Sequence, residues 1–304
     1  MILRTGYLIL LTSGIALWAQ PQNGHDQNAP GEPPMMGVHW ARGAAAAGGQ
    51  AGSSPQLIFH NGTVMHTSVT LPIYWGASWS NASFVQDKIS GLGLFYSTEG
   101  GSTYAATSNE YTDATGSVTS VSTYQGSIVD LSAAAKNGNR TSPILEEVCT
   151  ALAAHNVAPA KNGYYPVYVD TPRGHAGFCA WHSWGSCGNV PIQFAFFFTL
   201  DGDPGCDPQD TSGLHSQGLA ALANVSGHEL SEARTDPRGD GWYDSSGAEN
   251  ADKCAWVFGT PLLTFSSKSQ WKIQGNWSNA AFSAGRGYAN SSGLSGCLDG
   301  GNFK

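Results

Sequence analysis

The stretch Ser216-Gln217-Gly218-Leu219-Ala220-Ala221-Leu222-Ala223-Asn224-Val225-Ser226-Gly227-His228-Glu229-Leu230-Ser231-Glu232-Ala233-Arg234-Thr235-Asp236-Pro237 decides how the rest of the chain is read. Leu219, Leu222, Ala223 and Leu230 fall on one side of a helix, so a long helix is expected from about Ser216 to Thr235. Pro237 ends it, because the residue before a proline is pushed out of the helical region. On that helix His228 and Glu232 are four apart and project from one face, one turn apart. This is the geometry with which a His-Glu-x-x-His pattern holds zinc while its glutamate activates a water. Here Glu232 replaces the second histidine, and a carboxylate oxygen is an acceptable zinc ligand at about 2.0–2.2 Å. Glu229, next to His228, is the candidate general base.

A third ligand should lie downstream, leaving one position open. Glu249 is the first candidate, at a spacing similar to metallopeptidases whose third ligand is a later glutamate, and Asp252, Asp236 and Asp240 compete with it. Asp236, at the helix end, could instead orient His228 by accepting a hydrogen bond. Two carboxylates would neutralise Zn²⁺ and weaken its Lewis acidity, and an oxygen-rich set also suits Mn²⁺ or Ca²⁺. Zinc is therefore the first expectation, with calcium or manganese open and a purely structural ion as the rival. Tyr243 is a candidate oxyanion donor if it faces the metal, and otherwise packs beside Trp242. His175, His182 and His215 could contribute to a site, although single loop histidines are usually just solvated or hydrogen-bonded. Glu-rich surface helices are common, so the pentapeptide alone carries little weight. An otherwise apolar helix and the acidic cluster ending at Cys254 add to it.

Working outward, 304 residues suffice for one large domain with a real core. Only 12% of residues are charged, about half the usual share. The net charge is −8 with no Lys/Arg run, so no nucleic-acid partner is expected. Arg4 followed by the apolar stretch Gly6 to Trp18 reads as a signal peptide over 1–19, too short for a comfortable membrane span. The mature protein is thus expected outside the cytosol, with no span after cleavage. Six cysteines in an exported chain fit three disulfides. Cys254 with Cys297 is the favoured pair, since it would tie the C-terminal tail to the segment after the site. Cys149, Cys179, Cys187 and Cys206 would pair among themselves.

Residues 20–56 are rich in Pro, Gly, Ala, Gln and Asn, and read as a flexible linker or pro-segment. A single mixed α+β domain is expected over 57–304, with a central site helix and disulfide-stapled C-terminal loops. Leu57 to His60 and Val64 to Trp75 read as strands joined by an Asn61-Gly62 hairpin turn. Ala82 to Tyr96 has roughly helical spacing. Ser142 to Asn156 reads as a helix capped by Ser142 with Pro143 in its first turn. Tyr164 to Val169 and the almost continuously apolar Ile192 to Leu200 read as buried strands.

The ordered motifs carry a family resemblance. They are Leu57 to Gly62, Ile73-Tyr74-Trp75-Gly76, Gly177 to His182, Gly227 to Pro237, Gly241 to Asp244, and Glu249-Asn250-Ala251-Asp252-Lys253-Cys254. Together, spanning roughly Leu57 to Cys297, they resemble the microbial branch of the Exordium-like (phosphate-induced) proteins. The resemblance implies a secreted or cell-surface protein with a zincin-like site. The expected function is a secreted metal-dependent hydrolase, of zinc metallopeptidase type, acting on an extracellular peptide or protein. The alternative is a non-catalytic cell-wall or glycan-binding protein with a structural metal, its tryptophans stacking on sugars; the plainer reading is that most of the tryptophans fill the core.

Overall fold

The computed structural model describes residues 32–44 and 55–304. The proposed signal peptide lies outside them. Among the described residues no helix is long and apolar enough to cross a membrane.

An eight-stranded mixed sheet organises the domain. Its strands are β1 (Met36–Trp40), β2 (Ser68–Thr70), β3 (Ile73–Trp75), β4 (Ser122–Tyr124), β5 (Ile128–Asp130), β6 (Gly163–Pro172), β7 (Phe178–Cys187) and β8 (Val190–Thr199). β6 and β8 are parallel and central, β7 runs antiparallel to β8, and β1 forms the edge beside β7. β2 and β3 both lie alongside β6 as two pieces of one line, and β4 and β5 continue it outward, all parallel. Pro72 explains the break between β2 and β3: it has no N–H for the ladder, and its carbonyl instead accepts from Ile128 N at 2.9 Å.

The single mixed domain expected from the sequence is thus present, with more parallel pairing than an α+β label suggests. The apolar run of β8 is the physical reason, since a strand covered on both faces needs no polar alternation. The covers are α2 (Ser142–Ala154) on one face and α3 (Gln217–Thr235) on the other. Leu145 of α2 packs onto Gly185, whereas Ser226 of α3 meets the Tyr168 hydroxyl at 2.6 Å. α1 (Lys88–Glu99) leans on α3.

Two local expectations are corrected. The Asn61-Gly62 turn closes no hairpin: Ile58–Phe59 pairs instead with Trp242–Tyr243. Asn61 does take the left-handed conformation a turn residue needs, but the following chain is drawn into the parallel sheet beside β6. Tertiary pairing overrides the local turn signal. Second, the linker assignment of 20–56 fails for residues 36–40, which form β1 with Met36 and Val38 buried. Composition hid them because the strand is short and flanked by Pro and Gly.

α2 begins with Pro143 in its first turn as expected, but Ser142 does not cap it. The Glu32 carboxylate does so from outside, accepting from Thr141 N at 3.0 Å. All six cysteines pair, as Cys149–Cys187, Cys179–Cys206 and the expected Cys254–Cys297.

Candidate metal centre

α3 starts where the sequence placed it. The Ser216 hydroxyl accepts from Leu219 N at 3.1 Å, and the helix ends with Asp236 before Pro237. Almost every residue of the helix is buried, which suits its apolar composition and makes its ionisable members conspicuous. One of these, Arg234, is matched by the buried Glu99 at 3.3 Å. The other three are His228, Glu229 and Glu232, all fully buried and all turned toward β1, β7 and the Glu249–Cys254 segment.

Two groups with metal-ligand spacing meet at Glu232. His228, Glu229 and Glu232 place ligand atoms within 4.8 Å of one another, and so do His182, Glu232 and Glu249. His228 Nε2 lies 3.0 Å from Glu232 Oε2 and 3.6 Å from Asp252 Oδ1. His182 Nε2 lies 3.2 Å from Glu249 Oε2. Several buried atoms here have no hydrogen-bond partner among the described residues: His228 Nε2, both oxygens of Glu229, Glu232 Oε2 and Glu249 Oε1. The 3.0 Å approach of His228 to Glu232 is therefore a close contact without hydrogen-bond alignment. Orphaned buried polar atoms normally find a partner or signal an ion.

The electrostatics are those of buried acids crowded around a neutral histidine. Burial pushes the Glu229 carboxyl well above the usual range, and the charges of Glu232 and Asp252 push it further. Glu249 is raised by burial, then by Asp236 and Glu232. Glu232 and Asp252 are raised chiefly by burial as well. The same desolvation lowers His228 to about 3, so its imidazole is neutral and has a lone pair to offer. Neutral imidazole with converging carboxylates is the donor chemistry of a divalent cation site.

Hydrogen bonds from neighbouring loops hold the ligand candidates in place. Gln274 Nε2 lies 3.0 Å from His228 Nδ1 and donates to the Ala251 carbonyl at 3.0 Å, a contact that turns Nε2 of His228 toward the cluster. Asp252 N donates to Glu232 Oε1 at 2.9 Å, and Glu249 N donates to Asp252 Oδ2 at 3.1 Å. Asn250 reaches Ser231 Oγ at 2.8 Å, tying this loop to the helix.

The expected ligands His228, Glu232 and Glu249 are thus brought to one place, with a change of partners. Glu249 groups with His182 and Glu232, and His228 with Glu229 and Glu232. Asp252 also approaches His228. Asp236 does not orient His228; it accepts from Gly241 N at 2.7 Å, and Gln274 has the orienting role. Asp240 accepts from Thr63 N at 3.4 Å and belongs to the neighbouring turn. Tyr243 stacks on His60 with centroids 3.5 Å apart, on the acidic flank where Asp236, Asp240 and Glu249 raise its hydroxyl after burial does.

Three buried neighbours of the cluster have little or no signal in the sequence. His182 lies not in a loop but fully buried in β7. His39 sits in the supposed linker; its ring is 4.2 Å from that of His228 and its Nε2 is 3.1 Å from Gln274 Oε1. Gln274 lies in a segment with no periodic signal. Alternation in Phe178-Cys179-Ala180-Trp181-His182 offered the one available clue, since it sets His182 opposite the core-filling Trp181. Of the nine tryptophans among the described residues, Trp75, Trp79, Trp181, Trp271 and Trp277 are buried, so most do fill the core.

No protein-family model matches the chain, and no curated protein matches it. A solved structure described as "Structure of a chaperone-substrate complex" is similar over 54% of this chain and 23% of its own, at 15% identity and a TM-score of 0.29. At that level it carries no argument, and this chain spans under a quarter of that one.

Proposed function

We propose that this protein is a secreted metal-dependent hydrolase of zincin type, acting on extracellular peptides or proteins. The observation that carries the reading is the set of unpartnered, fully buried ligand atoms on His228, Glu229, Glu232 and Glu249 around the predicted helix motif. His228 and Glu232 would hold the ion, with Glu249 and His182 completing the set, and zinc is the first candidate. Bound there, such an ion supplies Lewis acidity and lowers the pKa of a water. Glu229 is the group able to take a proton at its carboxylate, because burial and then the neighbouring acids raise its basicity. Gln274 orients the His228 ring, and Tyr243 offers a hydroxyl on the flank. The three disulfides agree with an oxidising extracellular location. The sequence resemblance to the Exordium-like proteins points the same way.

The test joins metal analysis of untagged protein, before and after chelation and zinc reconstitution, to an unbiased peptide-library digest. About one equivalent of metal and metal-dependent cleavage are expected. No stoichiometric metal in either sample would refute the site. Metal without cleavage, together with binding to insoluble polysaccharide through the half-buried Trp184, Trp242 or Trp256, would favour the structural-metal glycan binder.

A further inference from the structure

Beyond the C-terminal end of α3 the central sheet carries a second concentration of buried polar groups. Trp184 of β7, Gln193 of β8, Tyr164 of β6 and Thr70 of β2 are partners in one row across four strands. Cross-strand partners share a face of the sheet, so the four side chains stand abreast. Each has a buried polar atom without a hydrogen-bond partner among the described residues: Trp184 Nε1, Gln193 Oε1, Tyr164 OH and Thr70 Oγ1. Buried polar groups are normally paired, and a whole row that is not points to a partner from outside the chain. The row lies two residues along β7 from His182, about 7 Å away, and shares no residue with the metal cluster.

A cleft of about 380 Å³ opens over this row. Its volume is at the small end of the roughly 300–1,000 Å³ typical of small-molecule sites. Gln193 lines it although only 4% of the residue is exposed. Lys161 and Arg238 stand on its rim, both exposed, and neither is in an ion pair among the described residues. Arg238 lies over the Trp184 ring at 5.7 Å, which joins the rim to the floor. His66 faces the cleft too, but Asp113 holds it at 3.1 Å. No carboxylate lines the cleft, in a chain whose net charge is −8.

The ligand that fits has to answer each of these groups. Two cations without carboxylate partners call for a negative charge. Gln193 Oε1 is an acceptor and calls for an O–H or N–H donor, which a carboxylate by itself does not bring. A neutral sugar brings the donors and lacks the charge. We infer that this cleft binds a sugar acid, a carboxylate with hydroxyl groups beside it, with Lys161 and Arg238 on the carboxylate and Gln193 accepting from a hydroxyl. The site stands apart from the hydrolase reading, because none of these residues belongs to the proposed ligand set.

The experiment titrates the full, chelated chain with galacturonate, galactose and N-acetylglutamate amide, with affinity read by calorimetry. Saturable binding of galacturonate is expected. Galactose lacks the carboxylate and N-acetylglutamate amide lacks the hydroxyl groups, so each should bind at least about tenfold more weakly. Replacing both rim cations, Lys161→Ser with Arg238→Ser, should weaken galacturonate by about tenfold or more without moving the melting temperature, since both side chains are exposed. Gln193→Met, which keeps the side-chain volume, should weaken it about tenfold as well. If that variant fails to fold, the exposed pair decides alone. A trimer of galacturonate that binds more tightly than the monomer would assign the sugar acid to a polysaccharide, and equal affinity would assign it to the free acid. No saturable binding, galactose or N-acetylglutamate amide binding as tightly as galacturonate, or unchanged affinity in the rim variant would each overturn the proposal.

Discussion

Replacing Glu229 with glutamine should make the metal-free protein more stable while abolishing turnover. Both Glu229 oxygens are buried without partners, and the nearby charges come from Glu232 and Asp252. A glutamine of the same shape removes one of three crowded carboxylates and gives its amide hydrogens two acceptors. Relieving a buried unsatisfied group is worth about 1–3 kcal/mol. For a domain of this size that is roughly 2–12 °C in Tm, at about 2–4 °C per kcal/mol. The sign depends on pH. A carboxyl whose folded pKa is raised contributes stability at low pH and loses it as pH rises through the folded value. The glutamine gain should therefore vanish below the model-compound value of 4.5 and be largest at neutral and alkaline pH. The assay is denaturation of chelated wild type and Glu229→Gln between pH 4 and 9, with metal content and peptide cleavage measured in parallel. Metal should stay and cleavage fall by about 10²–10⁴. A variant less stable at pH 8, or one that loses its metal, would refute Glu229 as a strained base and make it a ligand.

Three further outcomes are expected. His182→Ala should lower metal content and leave the disulfides intact, as read by metal analysis and non-reducing peptide mapping; unchanged metal would remove His182 from the ligand set. Opening Cys254–Cys297 with paired serines removes a cross-link between residues 43 apart, and should cost about 4 kcal/mol on the chain-entropy account, measured by denaturant titration. Glu147, raised by burial and by Asp130 to about 7, contributes stability below its unfolded value and loses it as pH rises through 7, so Glu147→Gln should flatten stability between about pH 4.5 and 7 in a pH series of melts.

The parts of the fold legible in the sequence were those where a local signal and the tertiary structure agree. α3 is such a case, because its apolar face, its Ser216 cap and Pro237 all point to the same ends. So is β8, whose unbroken apolar run needs cover on both faces. The metal candidates on α3 were legible because helical spacing alone sets His228 and Glu232 on one face. His182 and His39 come from two strands paired side by side, and nothing in a single sequence reports which strands will be neighbours. Gln274 is polar, uncharged and in an irregular segment, so its contact with His228 emerges only from the folded path. The misplaced Asn61-Gly62 hairpin has the same origin: the turn residue is correct, and its strand partners lie far away in sequence.

The Cys254–Cys297 bridge has a bearing on how the protein would respond to a change of redox compartment. Cys254 closes the short turn that starts at Asp252, whose N–H is fixed to Glu232. Reduction would free the C-terminal tail and, through that turn, loosen the loop that presents Glu249 and Asp252 to the helix. Reduction would also open Cys149–Cys187 and Cys179–Cys206, both of which end on β7, so the loop and the strand that carries His182 would lose their tethers together. An oxidising compartment would restore these tethers together.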